Sequence, residues 1–383
     1  MGGASIFVLN LCEGLKNIGG YEPIVAVMRE ESDIGTQIRD RGYEVIGANR
    51  KALIHEDRIE YLYKQCQKFS PVAVIAVLGG GEAFNFLRSV PQGVLRIAML
   101  HSDDECVYQT IERYLPWTDL IVGVSQEICM KIKERIFPSA TPVLQIACGI
   151  PIPEPNAIRN IPTDEIMRII YVGRIDDEAK RIRLMTRIMD KTIESGNALT
   201  WTVVGDGPLL PLLKEKYGDR PNKVKILGAI PYDQVSSILY HHDVFFLCSD
   251  YEGLPLSLLE AMASGLAPVV SDLPSGISEV IHEGNGIRVP IHDEDAYVKA
   301  LLDLATDPIR REKLASQARR DVINSYSNEA MASRWNHALN YYNLNSNVSW
   351  LKKCKSRCPA HADGHIIHKP IFRFLRRLRV LIK

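Results

Sequence analysis

The feature that most constrains this chain is an alternation of short apolar, β-branched runs with helical patterns along most of its length. Six such runs lie in the first part of the chain, at 21–28, 43–48, 72–78, 94–100, 119–125 and 143–150. Five follow in the second part, at 167–173, 199–205, 223–230, 243–249 and 267–272. Near-continuous apolar strands with intervening helices are typical of parallel sheets that are covered on both faces. The pattern therefore predicts an α/β protein.

The alternation breaks once, at a proline-rich stretch between the two series of strands. Residues 151–165, PIPEPNAIRNIPTDE, contain four prolines and no apolar periodicity, which indicates an interdomain linker. A length of 383 residues also favours two domains over one. We therefore predict an N-terminal Rossmann-like domain at 1–150, a linker at 151–166, a second domain at 167–326, a C-terminal helix at 327–345 that returns toward the first domain, and a basic tail at 346–383.

Composition and cysteine usage are those of an ordinary globular protein in a reducing compartment. Hydrophobic residues make up 46% of the chain and charged residues 24%. The eight cysteines are dispersed and most lie in apolar runs, which favours buried thiols over a disulfide framework. The longest apolar run, VAVIAVLGG, is far shorter than a membrane span. We expect a cytoplasmic location.

The net charge of zero conceals a basic C-terminal tail. From Lys352 to Lys383 there are ten Lys and Arg and one Asp. Apolar and basic residues alternate over 369–383, a pattern that favours an interfacial helix on an anionic membrane at its inner face; a solvated tail is the alternative. The Cys and His residues of the tail match no common zinc spacing, and it has no aromatic platform for nucleic acid. We therefore expect neither a metal nor a nucleic-acid partner.

The most informative stretch is SDYEGLPLSLLEAMASGLAPVVSD, at 249–272. The strand before it ends in a turn that contains Glu252 and Gly253, and a helix is predicted from about Leu256. Glycine allows close approach of a ligand to the backbone, and the free N–H groups of a first helical turn favour an anion. Glu260 follows two helical turns after Glu252, near the strand end where α/β proteins bind ligands. The spacing alone also fits a solvated glutamate and a polar turn.

Two further turns follow strands at the same expected sheet edge. The segment VGRIDDEAKRI at 172–182 places Arg174 just after a strand and Lys180 at the start of the next helix. Such cations can hold a diphosphate and stabilise a departing nucleotide, although exposed cations are also common without any function. The turn VVGDGPL, at 203–209, adds Gly205.

Taken in order, five segments resemble the retaining, nucleotide-sugar-dependent glycosyltransferases of family 4 (glycosyl transferases group 1). They are GRIDDEAK, VVGDGP, ILGAIPYDQV, YEGLPLSLLEAMASGLAPVVSD and ISEVIHEGNGIRVP. The resemblance covers about residues 1–345 and is strongest at 167–290. It implies the GT-B fold, in which two doubly wound Rossmann-like domains face a central cleft. Two glutamates separated by seven residues are a highly specific motif in this context.

The resemblance also implies a role for each matching residue. Glu260 would bind the ribose hydroxyls of the nucleotide, and Glu252 the hydroxyls of the donor sugar. Arg174 and Lys180 would hold the diphosphate and stabilise the leaving group, and His101 would face the donor sugar. Arg174, Lys180, Glu252 and His101 are therefore the predicted catalytic residues. Further donor contacts are expected from Gly2, Gly3, Gly205, Ala229, Ile230, Gly253, Leu254, Pro255 and Leu256.

The implied activity is the transfer of a sugar, with retention, from a nucleoside diphosphate sugar to a saccharide or lipid-linked acceptor in polysaccharide or glycoconjugate synthesis. A UDP-hexose is the expected donor, because UDP and hexoses are the commonest base and sugar in such a family. The cations would replace a metal, and no cofactor is expected besides the nucleotide-sugar co-substrate. The acidic clusters at 103–105 and 293–295 are interpreted as solvent-facing or capping residues. A catalytically silent homologue that serves as a binding or scaffold subunit is the alternative. A dinucleotide-dependent oxidoreductase is disfavoured, because neither GGGEAF nor GDGPLL supplies a G-x-G-x-x-G turn.

The first residues, MGGASIFVLNLCEGL, match a glycine pair that in this family follows the first strand of the N-terminal domain. No strand precedes them here, and loss of a central strand would expose two neighbouring sheet edges. We therefore expect Met1 to be an internal methionine of a longer product; a truncated relative with impaired folding or activity is the alternative.

Overall fold

The computed structural model describes residues 3–27, 33–47, 55–77, 82–91, 93–153 and 166–344. The described residues divide into two units. The first comprises residues up to Val124, Cys129–Ile146 and the chain from Ala332, and the second comprises Ser125–Ile128 and Ala147–Met331. Gly2, most of the predicted linker and the whole basic tail lie outside the described residues.

The described strands of the first unit form two parallel sheets. The strands are β1 (Ile24–Val27), β2 (Glu44–Gly47), β3 (Ala73–Val77), β4 (Leu95–Leu100), β5 (Leu120–Gly123) and β6 (Val143–Gln145). One sheet pairs β1 with β2, and the other has the order β3-β4-β5-β6. The helices are α1 (Gly3–Asn17), α2 (Asp33–Asp40), α3 (His55–Phe69), α4 (Glu82–Leu87), α5 (Glu105–Tyr114) and α6 (Gln126–Ile136), with a 3₁₀ turn at Leu115–Trp117.

The second unit is built on one six-stranded parallel sheet. Its strands are β7 (Met167–Val172), β8 (Leu199–Val204), β9 (Val224–Gly228), β10 (Val244–Leu247), β11 (Ala267–Ser271) and β12 (Ile287–Val289). The remaining helices are α7 (Ile182–Glu194), α8 (Leu210–Tyr217), α9 (Tyr232–Leu239), α10 (Leu256–Ala263), α11 (Gly276–Val280), α12 (Glu294–Thr306), α13 (Pro308–Ser325) and α14 (Asn328–Leu344). Each apolar run predicted from the sequence contains a strand. The short β12 was not predicted, because its three residues include the exposed Arg288.

The strand order of this sheet is β12-β11-β10-β7-β8-β9. Within this sheet, the first strand in sequence, β7, is central, and β8 and β9 are added on one side of it. The chain then crosses over and places β10 against the other edge of β7. In doubly wound sheets such a reversal of strand order opens a crevice outside the carboxyl ends of the two strands concerned. The ends of β7 and β10 are therefore the place in this sheet where a ligand-binding crevice is expected.

Large apolar side chains fill the core of the second unit on both faces of the sheet. All residues of β10 and β11 are buried. Phe246 on β10 contacts Trp201 and Tyr297 edge to face, with ring centroids 5.2 and 5.4 Å away. Such aromatic pairs contribute about 0.5–1.5 kcal/mol each beyond the burial of their surface. The near-continuous apolar pattern of these strands follows from this two-sided burial.

The acidic clusters at 103–105 and 293–295 begin helices. Oδ1 of Asp104 accepts a hydrogen bond from the Cys106 amide at 2.7 Å, and Oδ1 of Asp293 accepts one from the Ala296 amide at 3.0 Å. Both bonds satisfy an N–H group that lacks a partner within its helix, and the carboxylates favour the positive end of the helix dipole. The interpretation of these clusters as capping residues is confirmed.

All six cysteines of the described residues are free thiols, and five of them are buried. The exception is Cys106, which is exposed. Within the described residues, the prediction of buried thiols is therefore confirmed at the five cysteines other than Cys106.

The turns after β7 and β8 approach each other more closely than any side chain would allow. Gly205, directly after β8, has a φ of +144°, and its amide donates to the carbonyl of Gly228 at 2.9 Å. A Cβ atom at this position would lie 1.8 Å from the carbonyl oxygen of Gly173. Glycine is therefore required at position 205 by both its backbone conformation and its contact.

We expect Gly205→Ala to lower the free energy of unfolding by about 3 kcal/mol or more, because it adds a backbone clash to a strained φ angle. Gly196→Ala is the matched control, since Gly196 has a φ of +79° and nothing within 4 Å of an added Cβ. The control should cost only about 1–2 kcal/mol, the strain of the left-handed conformation. Urea denaturation of both variants measures the difference, and equal losses would contradict the close approach of the two turns.

Candidate functional site

Two loops meet at the reversal point of the six-stranded sheet. One loop follows β7 and carries Arg174 and Lys180, and the other follows β10 and carries Glu252. The two strands are neighbours, with Val244 opposite Ile169. Because adjacent parallel strands end at the same sheet edge, the two loops are brought together by the fold itself.

A half-buried ion pair joins these loops. Nζ of Lys180 contacts Oε1 of Glu252, and their side chains are only 16% and 10% exposed. The hydroxyl of Ser249 donates a second hydrogen bond to the same carboxylate oxygen at 2.6 Å. The cost of removing two charges from water can exceed their mutual attraction, so such a pair is weak evidence for stability. The ion pair does hold one cation and one carboxylate in fixed positions at the sheet edge.

The loop that carries Lys180 is held in place by hydrogen bonds to one of its own side chains and to the neighbouring loop. Oδ1 of Asp176 accepts hydrogen bonds from the amides of Ala179 and Lys180 at 3.0 and 3.4 Å. The Asp250 amide donates to the carbonyl of Ala179 at 2.9 Å. Both ends of this short segment are thereby fixed, and the position of Lys180 is set by backbone contacts on either side.

Arg174 is more exposed than Lys180. Its side chain is 68% exposed, and its Nε lies 3.1 Å from Oδ2 of Asp176. Its carbonyl accepts a 2.5 Å hydrogen bond from the hydroxyl of the buried Tyr171, which anchors the backbone at this point. The guanidinium is therefore attached to a fixed backbone and accessible to an anion from solvent.

The first turn of α10 offers uncapped N–H groups at the same edge. α10 begins at Leu256 with Pro255 as its N-cap residue, and no side chain caps it. The carbonyl of Gly253 accepts from the Gly276 amide at 2.7 Å, and Leu254 is buried. A helix start with free N–H groups is a favourable place for a phosphate or another anion.

Glu260 is a buried carboxylate on α10 with an unsatisfied oxygen. Its Oε1 has no hydrogen-bond partner among the described residues. Burial raises the pKa of Glu260 to about 7, because it penalises the charged form, and the neighbouring Tyr232 hydroxyl offsets part of this effect. An unsatisfied buried acceptor costs about 1–3 kcal/mol, and more when it is charged. A ligand with hydroxyl donors would recover this free energy.

Tyr232 links the loop after β9 to this carboxylate. It is the first residue of α9 and directly follows the segment with Ala229, which is exposed, and Ile230, which is half-buried. Sequence reasoning missed Tyr232, although it lies in the quoted segment ILGAIPYDQV. Its interaction with Glu260 places Ala229 and Ile230 in a loop that leads to the same carboxylate.

The remaining predicted site residues belong to the first unit. Gly3 begins α1, and Phe7 on that helix contacts His101 edge to face, with ring centroids 4.5 Å apart. Burial lowers the pKa of His101 to about 3, so the imidazole is neutral at physiological pH. The start of α1 and the end of β4 therefore lie side by side.

In the second unit, the predicted site residues that follow β7, β8, β9 and β10 lie at the same edge of the sheet, and Glu260 lies on the helix after β10. They are Arg174, Lys180, Gly205, Ala229, Ile230 and Glu252 with the segment 253–256. Three residues that the sequence reasoning did not single out also take part: Ser249, Asp250 and Tyr232. Over the described ranges, no group of three or more His, Cys, Asp or Glu side chains could hold a metal ion.

Comparison with known proteins identifies the family of the second unit. Residues 167–307 match the family model described as Glycosyl transferases group 1. The chain is 35% identical over 148 residues to the amylovoran biosynthesis glycosyltransferase AmsK of Erwinia amylovora, a match that covers 36% of each chain. It is 30% identical over 128 residues, 33% of each chain, to the UDP-Gal:alpha-D-GlcNAc-diphosphoundecaprenol alpha-1,3-galactosyltransferase of Escherichia coli. The chain thus spans only about a third of the length of these two relatives.

Solved structures resemble the chain over most of its length. HepE of Anabaena, in complex with UDP-glucose, superposes with a TM-score of 0.72 at 14% identity, over 89% of this chain and 96% of HepE. At this identity the likeness shows the fold, which is that of GT-B glycosyltransferases. The chain therefore has the GT-B fold, and its residues 167–307 form a domain of the family Glycosyl transferases group 1.

Proposed function

We propose that this protein is a metal-independent, retaining glycosyltransferase. It moves a hexose from a UDP-sugar to a saccharide or lipid-linked acceptor in polysaccharide or glycoconjugate synthesis. The observation that carries this proposal is the buried Glu260 carboxylate with its unsatisfied Oε1, placed on the helix whose uncapped first turn faces the same sheet edge as Lys180. Ribose hydroxyls on Glu260 and a diphosphate at the helix start would satisfy both features.

Relatives support the choice of donor and acceptor. The name of the Escherichia coli relative specifies UDP-galactose as donor and a diphosphoundecaprenol-linked acceptor. HepE has been solved with UDP-glucose. A UDP-hexose and a saccharide or lipid-linked acceptor are therefore the substrates that we propose here.

The charges at the sheet edge suit the cleavage of a nucleoside diphosphate sugar. When the bond between the anomeric carbon and the phosphate oxygen breaks, negative charge develops on the diphosphate and positive character on the sugar ring. Lys180, Arg174 and the first turn of α10 would stabilise the departing diphosphate without a metal. Glu252, which Lys180 and Ser249 hold in place, would accept hydrogen bonds from sugar hydroxyls.

Retention follows from attack on the same face that the nucleotide leaves. The acceptor oxygen forms its bond to the anomeric carbon as the bond to phosphate breaks, and the acceptor proton passes to an oxygen of the departing phosphate. This route requires no base from the enzyme. His101, neutral through its low pKa, is suited to a contact with sugar hydroxyls rather than to charge stabilisation.

A lipid-linked acceptor would place the protein at the inner face of a membrane. The alternating basic and apolar residues at 369–383 are the segment that we propose for this contact. Among the described residues, no helix is both long enough and apolar enough to cross a bilayer. The contact that we propose for residues 369–383 is peripheral and electrostatic, between basic side chains and anionic lipid.

A panel of donors tests the proposed function. The purified protein is mixed with UDP-glucose, UDP-galactose, UDP-N-acetylglucosamine and GDP-mannose, and slow release of the nucleoside diphosphate is followed together with binding. We expect binding and slow hydrolysis with at least one UDP-sugar. Binding without any turnover, even with saccharide acceptors, would instead identify a catalytically silent homologue. Neither binding nor turnover across the panel would overturn the proposal.

The pH dependence of donor binding tests the role of Glu260. With a pKa of about 7, Glu260 is mostly protonated at pH 6 and mostly ionised at pH 8. Ribose hydroxyls donate to the carboxylate, so the UDP-sugar should bind about tenfold more tightly at pH 8 than at pH 6. Calorimetric titration of wild type and Glu260→Gln measures this, and the variant should bind weakly with no such slope. An identical slope in both proteins would refute the ribose role.

The substitution Glu260→Gln should weaken donor binding, but above neutral pH it should increase the stability of the protein without donor. The pKa of Glu260 in the folded state, about 7, lies above the ordinary value of 4.5, so the folded state binds this proton more tightly than the unfolded state does. The wild type therefore loses stability as pH rises between these two values, and Glu260→Gln does not. At pH 8 the variant should be the more stable protein and the weaker binder, a combination that a purely structural glutamate would not give.

A further inference from the structure

A second ion pair connects the same two loops as Lys180 and Glu252. The guanidinium of Arg181, the residue after Lys180, contacts Oδ2 of Asp250, which lies two residues before Glu252. The side chains of Arg181 and Asp250 are 38% and 18% exposed. Two ion pairs thus run side by side between the end of β7 and the end of β10.

Arg181 has a backbone conformation that is unfavourable for arginine. Its φ and ψ angles are +51° and +48°, in the left-handed region. This conformation is strained for a residue with a Cβ atom, and glycine adopts it freely. The local backbone would therefore favour glycine at this position, so the ion pair with Asp250 is the interaction that arginine adds.

A third loop contributes to the same carboxylate. Nε2 of His292, which lies between β12 and α12, is 2.8 Å from Oδ1 of Asp250. Partial burial acts to raise the pKa of Asp250, but hydrogen bonds with Arg181 and His292 outweigh it and lower the pKa. Asp250 is therefore a carboxylate whose two oxygens are held from two different loops.

We propose that Arg181, Asp250 and His292 form a clamp that keeps the loops after β7 and β10 together while Lys180 and Glu252 bind the donor. This inference rests on the proposed function. In the unliganded protein Lys180 and Glu252 bind each other, and a donor would draw Lys180 toward the diphosphate and Glu252 toward the sugar. The clamp joins the same loops without using either of these groups.

Asp250 is placed to act in this way through the backbone as well. Its amide donates to the carbonyl of Ala179 at 2.9 Å, directly before Lys180 in sequence. Its carboxylate holds Arg181, directly after Lys180. Asp250 therefore fixes the chain on both sides of Lys180 and is a positioning residue, since it acts on the donor through its neighbours.

The substitution Arg181→Gly separates this positioning role from a structural one. Glycine relieves the left-handed backbone, which offsets the loss of the ion pair and the greater freedom of the unfolded chain, so the melting temperature should stay about unchanged. Loss of the clamp should lower kcat/KM for the UDP-sugar that the wild type accepts by about tenfold or more, because a displacement of about 1 Å can cost about 100-fold in rate. Hydrogen exchange at the Asp250 amide should become faster in the unliganded variant.

Two variants serve as controls. Arg183→Ala removes the Arg183–Asp177 ion pair, which lies at 3.4 Å with Arg183 59% exposed and does not reach the loop after β10. Its kcat/KM should stay within about twofold of the wild type, because an exposed ion pair of this kind contributes little and does not join the two loops. Arg181→Lys retains the charge and should restore part of the activity that Arg181→Gly loses.

The outcomes separate this inference from the proposed function. A stable Arg181→Gly protein with weakened catalysis and faster exchange at Asp250 supports the clamp. If the Arg181→Gly protein is as active as the wild type, the clamp is overturned and the proposed function still stands. A loss of activity that follows a loss of melting temperature in proportion also overturns it, because the residue would then be structural. A wild type that binds no nucleotide sugar overturns the proposed function and the clamp with it.

Discussion

The candidate site depends on the adjacency of β7 and β10 in the second sheet. Because the strand order reverses between them, the loops that follow both strands open on one crevice, and the Lys180–Glu252 ion pair closes across it. The turn after β8 packs against the same loop so tightly that only glycine fits at position 205. A register change in β7 or β10 would separate the cation from the carboxylate, so the chemistry that we propose depends directly on this strand pairing.

The site holds charges that reduce the stability of the unliganded protein. Glu260 remains buried with an unsatisfied oxygen and a pKa raised to about 7, and Lys180 and Glu252 are both desolvated. Arg181 adopts a left-handed backbone that glycine would adopt at lower cost. The unsatisfied oxygen of Glu260 is the feature that a bound ribose would relieve, while Lys180 and Glu252 would exchange their mutual contact for contacts with the diphosphate and the sugar. The concentration of these groups at one sheet edge is the physical reason for placing the donor there.

The sequence predicted the strands of the second unit and the residues of its motif because both depend on local patterns. Apolar runs reveal buried strands, and the motif from Glu252 to Glu260 lies within one turn and one helix. The pairing of Arg181 with Asp250 could not be predicted, because it joins residues 69 positions apart through an unusual backbone angle. Tyr232 was missed for a similar reason, since its partner Glu260 is distant in sequence. The roles of all the predicted site residues, in both units, remain predictions.

The central claim is that a nucleoside diphosphate binds at the ends of β7 and β10, and a crystal structure of this protein with UDP tests it most directly. The account predicts ribose hydroxyls within hydrogen-bond distance of Oε1 of Glu260, and a diphosphate between Lys180 and the first turn of α10. Lys180 should then have exchanged at least part of its contact with Glu252 for a phosphate oxygen. UDP bound elsewhere, or Glu260 still without a partner in the complex, would contradict the account.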